Sequence, residues 1–258
     1  MDSKKLSFGV VLLLALVCAM SVSARDYYQI KVYTIKDQAQ ETSIDNYLKD
    51  AYLPALHKAG IKKVGVFKPA ADDPAAGTKV FVFIPLKQLN QIEKIETQLA
   101  ADKEYQAAGS GYINAKHDNP AYERIESVLL KAFDKMPEFY CPKFDTPKSE
   151  QIFELRSYHS ATEKIYRKKV KMFNEGGETE IFSKIGANAI FYGEVISGAS
   201  MPNLMYMTSY ESKKSNEEHW KAFTQHPDWL ELKEKEEYKN TVSHIDKWLC
   251  HPTDYSDI

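Results

Sequence analysis

The sequence has few cysteines and lacks the spacings of metal-binding histidines. Three of the 258 residues are cysteines, and none of them forms a C-x-x-C pair, the arrangement typical of redox and zinc sites. The seven histidines include no H-x-H, H-x-x-x-H or H-E-x-x-H spacing, so the pattern predicts neither a metal site nor a haem ligand. We therefore expect no cofactor.

Signatures of nucleophilic and phosphate-binding enzymes are absent as well. The chain has no G-x-S-x-G motif, which would place a serine nucleophile on a strand-to-helix turn. The run GSGY at 109–112 lacks the lysine and the helix that follow in a phosphate-binding loop. Adjacent acids such as Glu236 and Glu237 stand in a charged run, which is typical of a solvated helix face. The sequence thus assigns no catalytic residue.

The chain has no excess of one charge sign. Its 34 basic and 36 acidic residues are interspersed and give a net charge of −2. Binding to nucleic acid needs a concentrated basic patch, so this balance excludes nucleic acid as a partner. After the N-terminal segment, no apolar run approaches the about 20 residues that a membrane-spanning helix needs.

The first 24 residues have the pattern of a secretory signal peptide. Two lysines precede the apolar run LSFGVVLLLALVCAM, and SVSA puts Val22 and Ala24 at the positions expected before a cleavage site. A lipid anchor on Cys18 is the alternative, but Val17 is larger than the small residue that normally precedes such a cysteine. We expect an exported protein, periplasmic or secreted, that is cleaved after Ala24.

Two cysteines, Cys141 and Cys250, remain after that cleavage. An exported compartment permits a disulfide, and two thiols allow one pairing. The sequence does not fix the geometry that a bridge needs, so a Cys141–Cys250 disulfide and a pair of free thiols both stay open.

The chain repeats itself with an offset of 124 to 126 residues. Three pairs of segments carry the repeat: YQIKVYTI at 28–35 with FELRSYHS at 153–160, GIKKVGVF at 60–67 with GANAIFYG at 186–193, and VFVFIPL at 80–86 with LMYMTSY at 204–210. Identities are few, but the order of the segments and the nearly constant offset indicate a duplication.

Each unit has the order strand, helix, strand, strand, helix, strand, which is the ferredoxin-like pattern. The strands are expected at 27–35, 62–68, 79–86 and 124–133, and again at 151–159, 189–196, 204–210 and 240–249. The first helices are expected at 43–59 and 161–185. In the second unit a capping box of Ser215 and Glu218 starts the next helix, and Pro227 starts another that runs through EKEEY.

These patterns predict an α+β protein of two tandem ferredoxin-like repeats. The boundaries are 25–136 for the first repeat, 137–150 for a proline-containing linker and 151–258 for the second repeat. Strand runs such as KVFVFI and AIFYGEV are apolar on both faces, so both faces of each sheet should be buried. We expect the two sheets to pack against each other as an intramolecular dimeric α/β barrel.

The second repeat resembles an exported bacterial member of the NIPSNAP family. The resemblance rests on MFNEGGETEIF, FYGEV, MPNLMYMTSYE, HWKAF, HPDW, NTVSHID and HPTDYSDI, and it is looser in the first repeat. It implies the dimeric α/β-barrel superfamily, whose members include cofactor-free monooxygenases and haem-binding enzymes. It transfers no catalytic residue to this chain.

Gly176 and Gly177 interrupt an apolar helical face in MFNEGGETEIF. Each glycine costs roughly 1 kcal/mol relative to alanine inside a helix, so the pair calls for an explanation. The repeat offset places Gly176 and Gly177 on Asp50 and Ala51, close to Pro54, which favours a bend shared by both repeats. The alternative is that the two glycines let a ligand or another backbone approach the amides.

Aromatic residues are dense in the second repeat, and most should belong to the core. If the barrel, or the gap between helix and sheet, keeps a cavity, Glu178, Tyr192, His219 and His244 are the candidates for its polar groups. The first hypothesis is that the protein binds a small apolar or aromatic molecule. The alternatives are a cofactor-independent monooxygenase-like enzyme and a protein-interaction module without a pocket; a homo-oligomer is compatible with each.

The signal-peptide pattern makes a direct prediction about the mature chain. Expression with export in a bacterial host should give a protein whose N-terminal residue is Arg25, as determined by N-terminal sequencing and intact mass. Accumulation of the exported protein with residues 1–24 still attached would contradict the assignment.

Overall fold

The computed structural model describes residues 24–258, so the predicted signal peptide and Cys18 lie outside the described part, apart from Ala24. The first repeat consists of β1 (Tyr27–Thr34), α1 (Gln38–Tyr47), a π-helical turn (Leu48–Tyr52), α2 (Leu53–Lys58), β2 (Gly65–Pro69), β3 (Lys79–Leu86), α3 (Gln91–Ala101), α4 (Lys103–Ala108), α5 (Ser110–Ile113) and β4 (Arg124–Ala132). The second consists of β5 (Ile152–His159), α6 (Glu163–Asn174), α7 (Glu178–Lys184), β6 (Asn188–Ser197), β7 (Asn203–Tyr210), α8 (Lys213–Gln225), α9 (Pro227–Leu232), a 3-10 turn (Glu236–Tyr238) and β8 (His244–Pro252).

The eight strands form one closed antiparallel barrel in the order β1-β3-β2-β8-β5-β7-β6-β4. Each repeat contributes four neighbouring strands, as the ferredoxin-like pattern requires. Two seams join the repeats: β2 pairs with β8, and β4 pairs with β6. The prediction of two tandem repeats that form an intramolecular α/β barrel is confirmed.

The core is divided into three apolar layers. One fills the barrel, where large side chains such as Tyr28, Phe83 and Phe191 are fully buried and in contact. The other two lie between each half of the barrel and its helices. Because both faces of each sheet are covered, β3 and β7 are buried along nearly their whole length.

The linker between the repeats closes one end of the barrel. Phe139, Cys141 and Phe144 pack against the apolar barrel interior, and the Phe139 ring lies 5.8 Å from that of Phe83. The linker backbone is tied to the strands, since the Tyr140 amide donates to the carbonyl of Ile190 at 2.8 Å. The linker is therefore part of the folded barrel. Within residues 24–258, the helices are too short or too polar for any of them to cross a membrane.

The first helical segment of each repeat is interrupted at the same place. In the first repeat the interruption is the π-helical turn Leu48–Tyr52. In the second repeat α6 ends at Asn174, and Gly177 begins α7 with a φ of 90°. Both repeats are thus interrupted at the place where a shared bend was predicted, whereas the prediction of one continuous helix over 161–185 is wrong because Gly177 leaves the helical conformation.

Several predicted boundaries were also wrong. The first helix begins at Gln38 because Asp37 caps it, and the helix after β7 begins after Ser212, whose hydroxyl accepts from the amide of Ser215. Ser215 is thus the third helical residue and not the cap. The helix that Pro227 starts ends at Leu232, and the last strand is shifted to His244–Pro252. In each case a polar cap or turn close to the expected boundary takes precedence over the apolar periodicity.

Cys141 and Cys250 are both free thiols in the structure. Cys250 is buried inside the barrel, and Cys141 packs against the same apolar layer from the linker. The bridge considered from the sequence is therefore not present here. Burial raises the pKa of the Cys250 thiol, and the charge of Asp73 adds to this, so the thiol is kept in its unreactive protonated form.

The break between α6 and α7 predicts unequal effects of alanine substitutions. A Cβ at residue 176 would lie 2.5 Å from the Met172 carbonyl oxygen, so Gly176→Ala should destabilise the protein by about 1–3 kcal/mol. Gly177→Ala should cost about 1–2 kcal/mol because its backbone is left-handed. Gly111→Ala is the control, since a Cβ there meets no atom within 4 Å. Urea unfolding measures all three; equal stabilities would contradict the assigned roles.

Candidate functional site

A buried ion pair spans the break between α6 and α7. The Lys169 Nζ lies 2.7 Å from Oε2 of Glu178, and the two side chains are only 4% and 2% exposed. The ammonium also lies 4.7 Å from the centroid of the Phe173 ring and 5.5 Å from that of Tyr158. Burial raises the pKa of Glu178, whereas the positive charge of Lys169 acts in the opposite direction. Removing two charges from water is costly, so this pair calls for a functional explanation.

Tyrosine hydroxyls surround this ion pair on the sheet side. The Tyr158 and Tyr206 hydroxyls lie 2.7 Å apart and share a hydrogen bond. Tyr192, opposite Tyr206 on the neighbouring strand, is 2% exposed, and its hydroxyl has no hydrogen-bond partner. Burial raises the pKa of Tyr192 well above its ordinary value, and the negative charge of Glu178 raises it further. Tyr192 is thus a protonated donor that lacks an acceptor.

A second buried carboxylate, Glu154, extends the polar groups along β5. Its two oxygens accept from the Arg156 guanidinium, at 2.6 Å, and from the Asn216 amide, at 2.6 Å. The Trp220 indole N–H also donates to it, and the Arg156 guanidinium stacks 3.7 Å above the Trp220 ring. Arg156 then donates to the Tyr158 hydroxyl at 3.1 Å. We call the connected set the polar layer: Glu154, Arg156, Tyr158, Lys169, Glu178, Tyr192 and Tyr206.

Three central positions of the polar layer are aliphatic in the first repeat. The cross-strand pair Tyr192–Tyr206 corresponds to the pair Val66–Val82, which has the same register. Lys169 corresponds to Ile44, which is also buried against the sheet. Gln29, Lys31 and Tyr33 stand at the positions of Glu154, Arg156 and Tyr158, so those strand positions carry polar groups in both halves. The groups that the first repeat does without are those of Lys169, Tyr192 and Tyr206, and their presence in the second repeat points to function.

A cleft of about 460 Å³ lies beside the polar layer. It is bounded by α7, by the start of β6 and by the linker, and Tyr192 lies on its wall. Gly177 and Gly186, both with positive φ, stand directly before α7 and shortly after it. The short helix α7 thus contributes both Glu178 of the ion pair and part of the cleft wall.

The family of this half of the chain can now be assigned. Residues 153–257 match the family model NIPSNAP. The second repeat is a NIPSNAP domain. The match covers the whole polar layer, whereas no curated protein shows significant similarity to the chain.

Solved structures share the architecture of the whole chain. A candidate monooxygenase from Fusobacterium nucleatum is 8% identical, with a TM-score of 0.59 over 89% of this chain and 93% of that one. A candidate monooxygenase from Lactobacillus acidophilus is 11% identical, with a TM-score of 0.55 over 88% and 94%. An anthrone oxidase-like protein is 8% identical, with a TM-score of 0.54 over 91% and 94%. At such low identities these similarities show the fold alone.

The structure brings together only some of the predicted pocket residues. Glu178 and Tyr192 lie in the polar layer of the NIPSNAP domain. His219 lies at its margin on α8, half-buried, with Nδ1 2.7 Å from the Ser215 carbonyl and its ring 5.5 Å from that of Tyr210. His244, expected to be buried, is exposed at the start of β8, with Nε2 3.0 Å from Asp246. It is remote from the layer because the strand begins only at this residue.

Sequence reasoning missed Lys169, Glu154 and Arg156. A charged residue on an amphipathic helix or strand is normally placed on the solvent side, and Lys169 stands in the basic run KKVK. The repeat gave no decisive signal, since an offset of 125 places Lys169 on the apolar Ile44, whereas the offset of 126 that pairs Gly176 with Asp50 places it on Ser43. Among the described residues, no three His, Cys, Asp or Glu side chains are grouped as metal ligands.

The ion pair gives a stability prediction that uses the first repeat as a template. Lys169→Met alone should destabilise the NIPSNAP domain by about 3–5 kcal/mol, because it leaves the Glu178 carboxylate buried and unpaired. Lys169→Met combined with Glu178→Leu should restore wild-type stability or exceed it by about 1–4 kcal/mol. Urea unfolding of both variants tests this; a double variant no more stable than the single one would contradict it.

Proposed function

We propose that the NIPSNAP domain binds a small aromatic ketone in the cleft beside α7, with the Tyr192 hydroxyl donating a hydrogen bond to the ligand carbonyl. The observation that carries this proposal is the buried Tyr192 hydroxyl, which has no partner and belongs to a side chain on the cleft wall. An unsatisfied buried donor costs about 1–3 kcal/mol. A ligand carbonyl would remove that cost.

The surroundings of Tyr192 support an aromatic ligand. The rings of Phe133, Phe173 and Phe182 lie 5.7 to 6.1 Å from the Tyr192 ring, and Tyr206 lies at 5.7 Å. Sites for small molecules are mostly apolar, with a few polar groups that fix orientation. The raised pKa of Tyr192 keeps its proton in place at neutral pH, so the hydroxyl can donate to an acceptor on the ligand.

Access to the hydroxyl requires a shift of α7. The glycines that flank this helix give its ends the necessary backbone freedom, and the Lys169–Glu178 pair holds it closed. Because the pair carries a desolvation cost, its net contribution to closure is small. We propose that the ligand enters by displacing α7 while the barrel beneath stays fixed.

A second candidate function is a cofactor-independent oxygenase that acts on the same ligand class. Glu178 supports it, because a buried carboxyl with a raised pKa can accept a proton from a C–H that a bound carbonyl acidifies through conjugation. Anthrone is a suitable test substrate: loss of two hydrogens from its methylene carbon and reaction with O₂ would give anthraquinone and water. The solved structures of candidate monooxygenases and of the anthrone oxidase-like protein share this fold.

The signal-peptide pattern of residues 1–24 leads us to propose that this binding takes place outside the cytoplasm. Native mass spectrometry of protein purified from its own host tests the ligand class without a chosen probe. A retained aromatic ketone would support the proposal. A retained ligand without a carbonyl would contradict it.

Substitution of Tyr192 separates binding from folding. Tyr192→Phe removes an unsatisfied polar group, so the free energy of unfolding should rise by about 1 kcal/mol. The same change should weaken binding of anthrone about tenfold, measured by calorimetry under anaerobic conditions. Tyr210→Phe is the control, because the Tyr210 hydroxyl already donates to Thr208 and should not alter anthrone affinity.

The opposite results would count against the proposal. Equal anthrone affinity in Tyr192→Phe and the wild type would exclude the hydroxyl as the recognition group. Absence of anthrone binding by the wild type would favour the interaction module without a pocket. Consumption of O₂ with formation of anthraquinone, abolished by Glu178→Gln, would favour the oxygenase over simple binding.

A further inference from the structure

The end of the barrel opposite the linker contains a separate pocket of about 360 Å³. Seven of the eight strands contribute to its lining, and the loop between β6 and β7 forms one side. Its floor is apolar and consists of Val32, Phe81, Val128, Val195, Met205 and Trp248. We call this pocket the barrel mouth. It lies inside the barrel, whereas the cleft beside α7 lies on the outer face of the sheet.

The floor of the barrel mouth presents aromatic rings and a thioether. The rings of Phe81 and Trp248 lie 5.2 Å apart and are tilted by 51°, and Met205 lies beside them. Aromatic faces and edges pack well against another flat ring, and a methionine side chain adapts to its outline. The shape and chemistry of the floor therefore favour a flat aromatic molecule.

Asn203 supplies an unsatisfied acceptor on the wall of the barrel mouth. The residue is 3% exposed, and its Nδ2 donates to the Ser157 Oγ at 2.8 Å. Its Oδ1 is buried and has no hydrogen-bond partner. A buried carbonyl without a donor is costly, and both Asn203 and Ser157 line the pocket. A ligand that donates one hydrogen bond would complete this arrangement.

Charged groups of both signs stand at the rim of the barrel mouth. Lys79, Glu126 and Asp246 line it, and the Asp246 carboxylate lies 3.1 Å from Nε2 of His159 and 3.0 Å from Nε2 of His244. Because the signs are mixed, the rim does not select a strongly charged ligand. The unpartnered acceptor, the aromatic floor and the mixed rim together favour a neutral aromatic molecule with one hydrogen-bond donor, of which an aromatic alcohol is the simplest.

We propose that the barrel mouth is a second small-molecule site, which binds a neutral aromatic alcohol through a hydrogen bond from its hydroxyl to Oδ1 of Asn203. The ring lies on Phe81, Met205 and Trp248. This site differs from the cleft beside α7 both in position and in chemistry, since Tyr192 donates whereas Asn203 accepts. The two sites can therefore be tested independently.

The test uses calorimetric titration of the full chain with 2-naphthol and with 2-methoxynaphthalene, which lacks the donor. We expect 2-naphthol to bind at least tenfold more tightly than its methyl ether, because a tenfold difference in affinity corresponds to the free energy of about one hydrogen bond. Asn203→Leu should weaken 2-naphthol about tenfold and leave the ether unchanged. Equal affinities of the two probes for the wild type, or no binding of 2-naphthol, would overturn the proposal.

Two further variants keep the test valid if Asn203→Leu fails to fold. Ser200 is an exposed loop residue on the pocket wall, so Ser200→Trp should fill the barrel mouth and abolish 2-naphthol binding. Ser110→Trp, at an exposed position of the first repeat, should leave 2-naphthol binding intact. Tyr192→Phe should change the affinity for 2-naphthol by no more than about twofold. Binding that survives Ser200→Trp but is lost in Tyr192→Phe would overturn the assignment to the barrel mouth.

Discussion

The pairing of β2 with β8 and of β4 with β6 is the constraint on which the rest of the structure depends. A single four-stranded sheet would leave one apolar face and two edges unsatisfied. The two seams pair the edge strands of both sheets through backbone hydrogen bonds, and the same pairing buries the inner apolar faces. The rigid barrel that results fixes the strand positions from which the polar layer projects outward and the barrel mouth opens inward.

The two repeats use this common frame in different ways. In the first, Ile44, Val66 and Val82 occupy central positions between sheet and helices, in a layer that also contains buried tyrosines such as Tyr33, Tyr47 and Tyr52. In the NIPSNAP domain the matching space holds Lys169, Tyr192 and Tyr206, together with a second carboxylate network on β5. The comparison of the two halves thus singles out Lys169, Tyr192 and Tyr206 as residues whose positions an aliphatic side chain can also fill.

The fold could be predicted from the sequence because the apolar periods and the repeat offset are distributed over the whole chain. The ends of the helices could not be predicted from these periods, because single capping residues such as Asp37 and Ser212 determine where a helix begins. Glu178 and Tyr192 were recognised as candidates, but His244 was misplaced by the shift of one strand. Lys169 was missed because burial of a lysine depends on a partner nine residues away, and the barrel mouth gives no local signal because seven strands build it.

Fusion of the two halves through the linker has an evolutionary consequence. In a symmetric dimer of identical subunits, every substitution would appear twice, so a costly buried charge would be introduced at both places. Here a single gene encodes both halves, and each can accumulate substitutions separately. One half can keep the assembly stable while the other tolerates groups that weaken it, which is the condition under which new chemistry can arise.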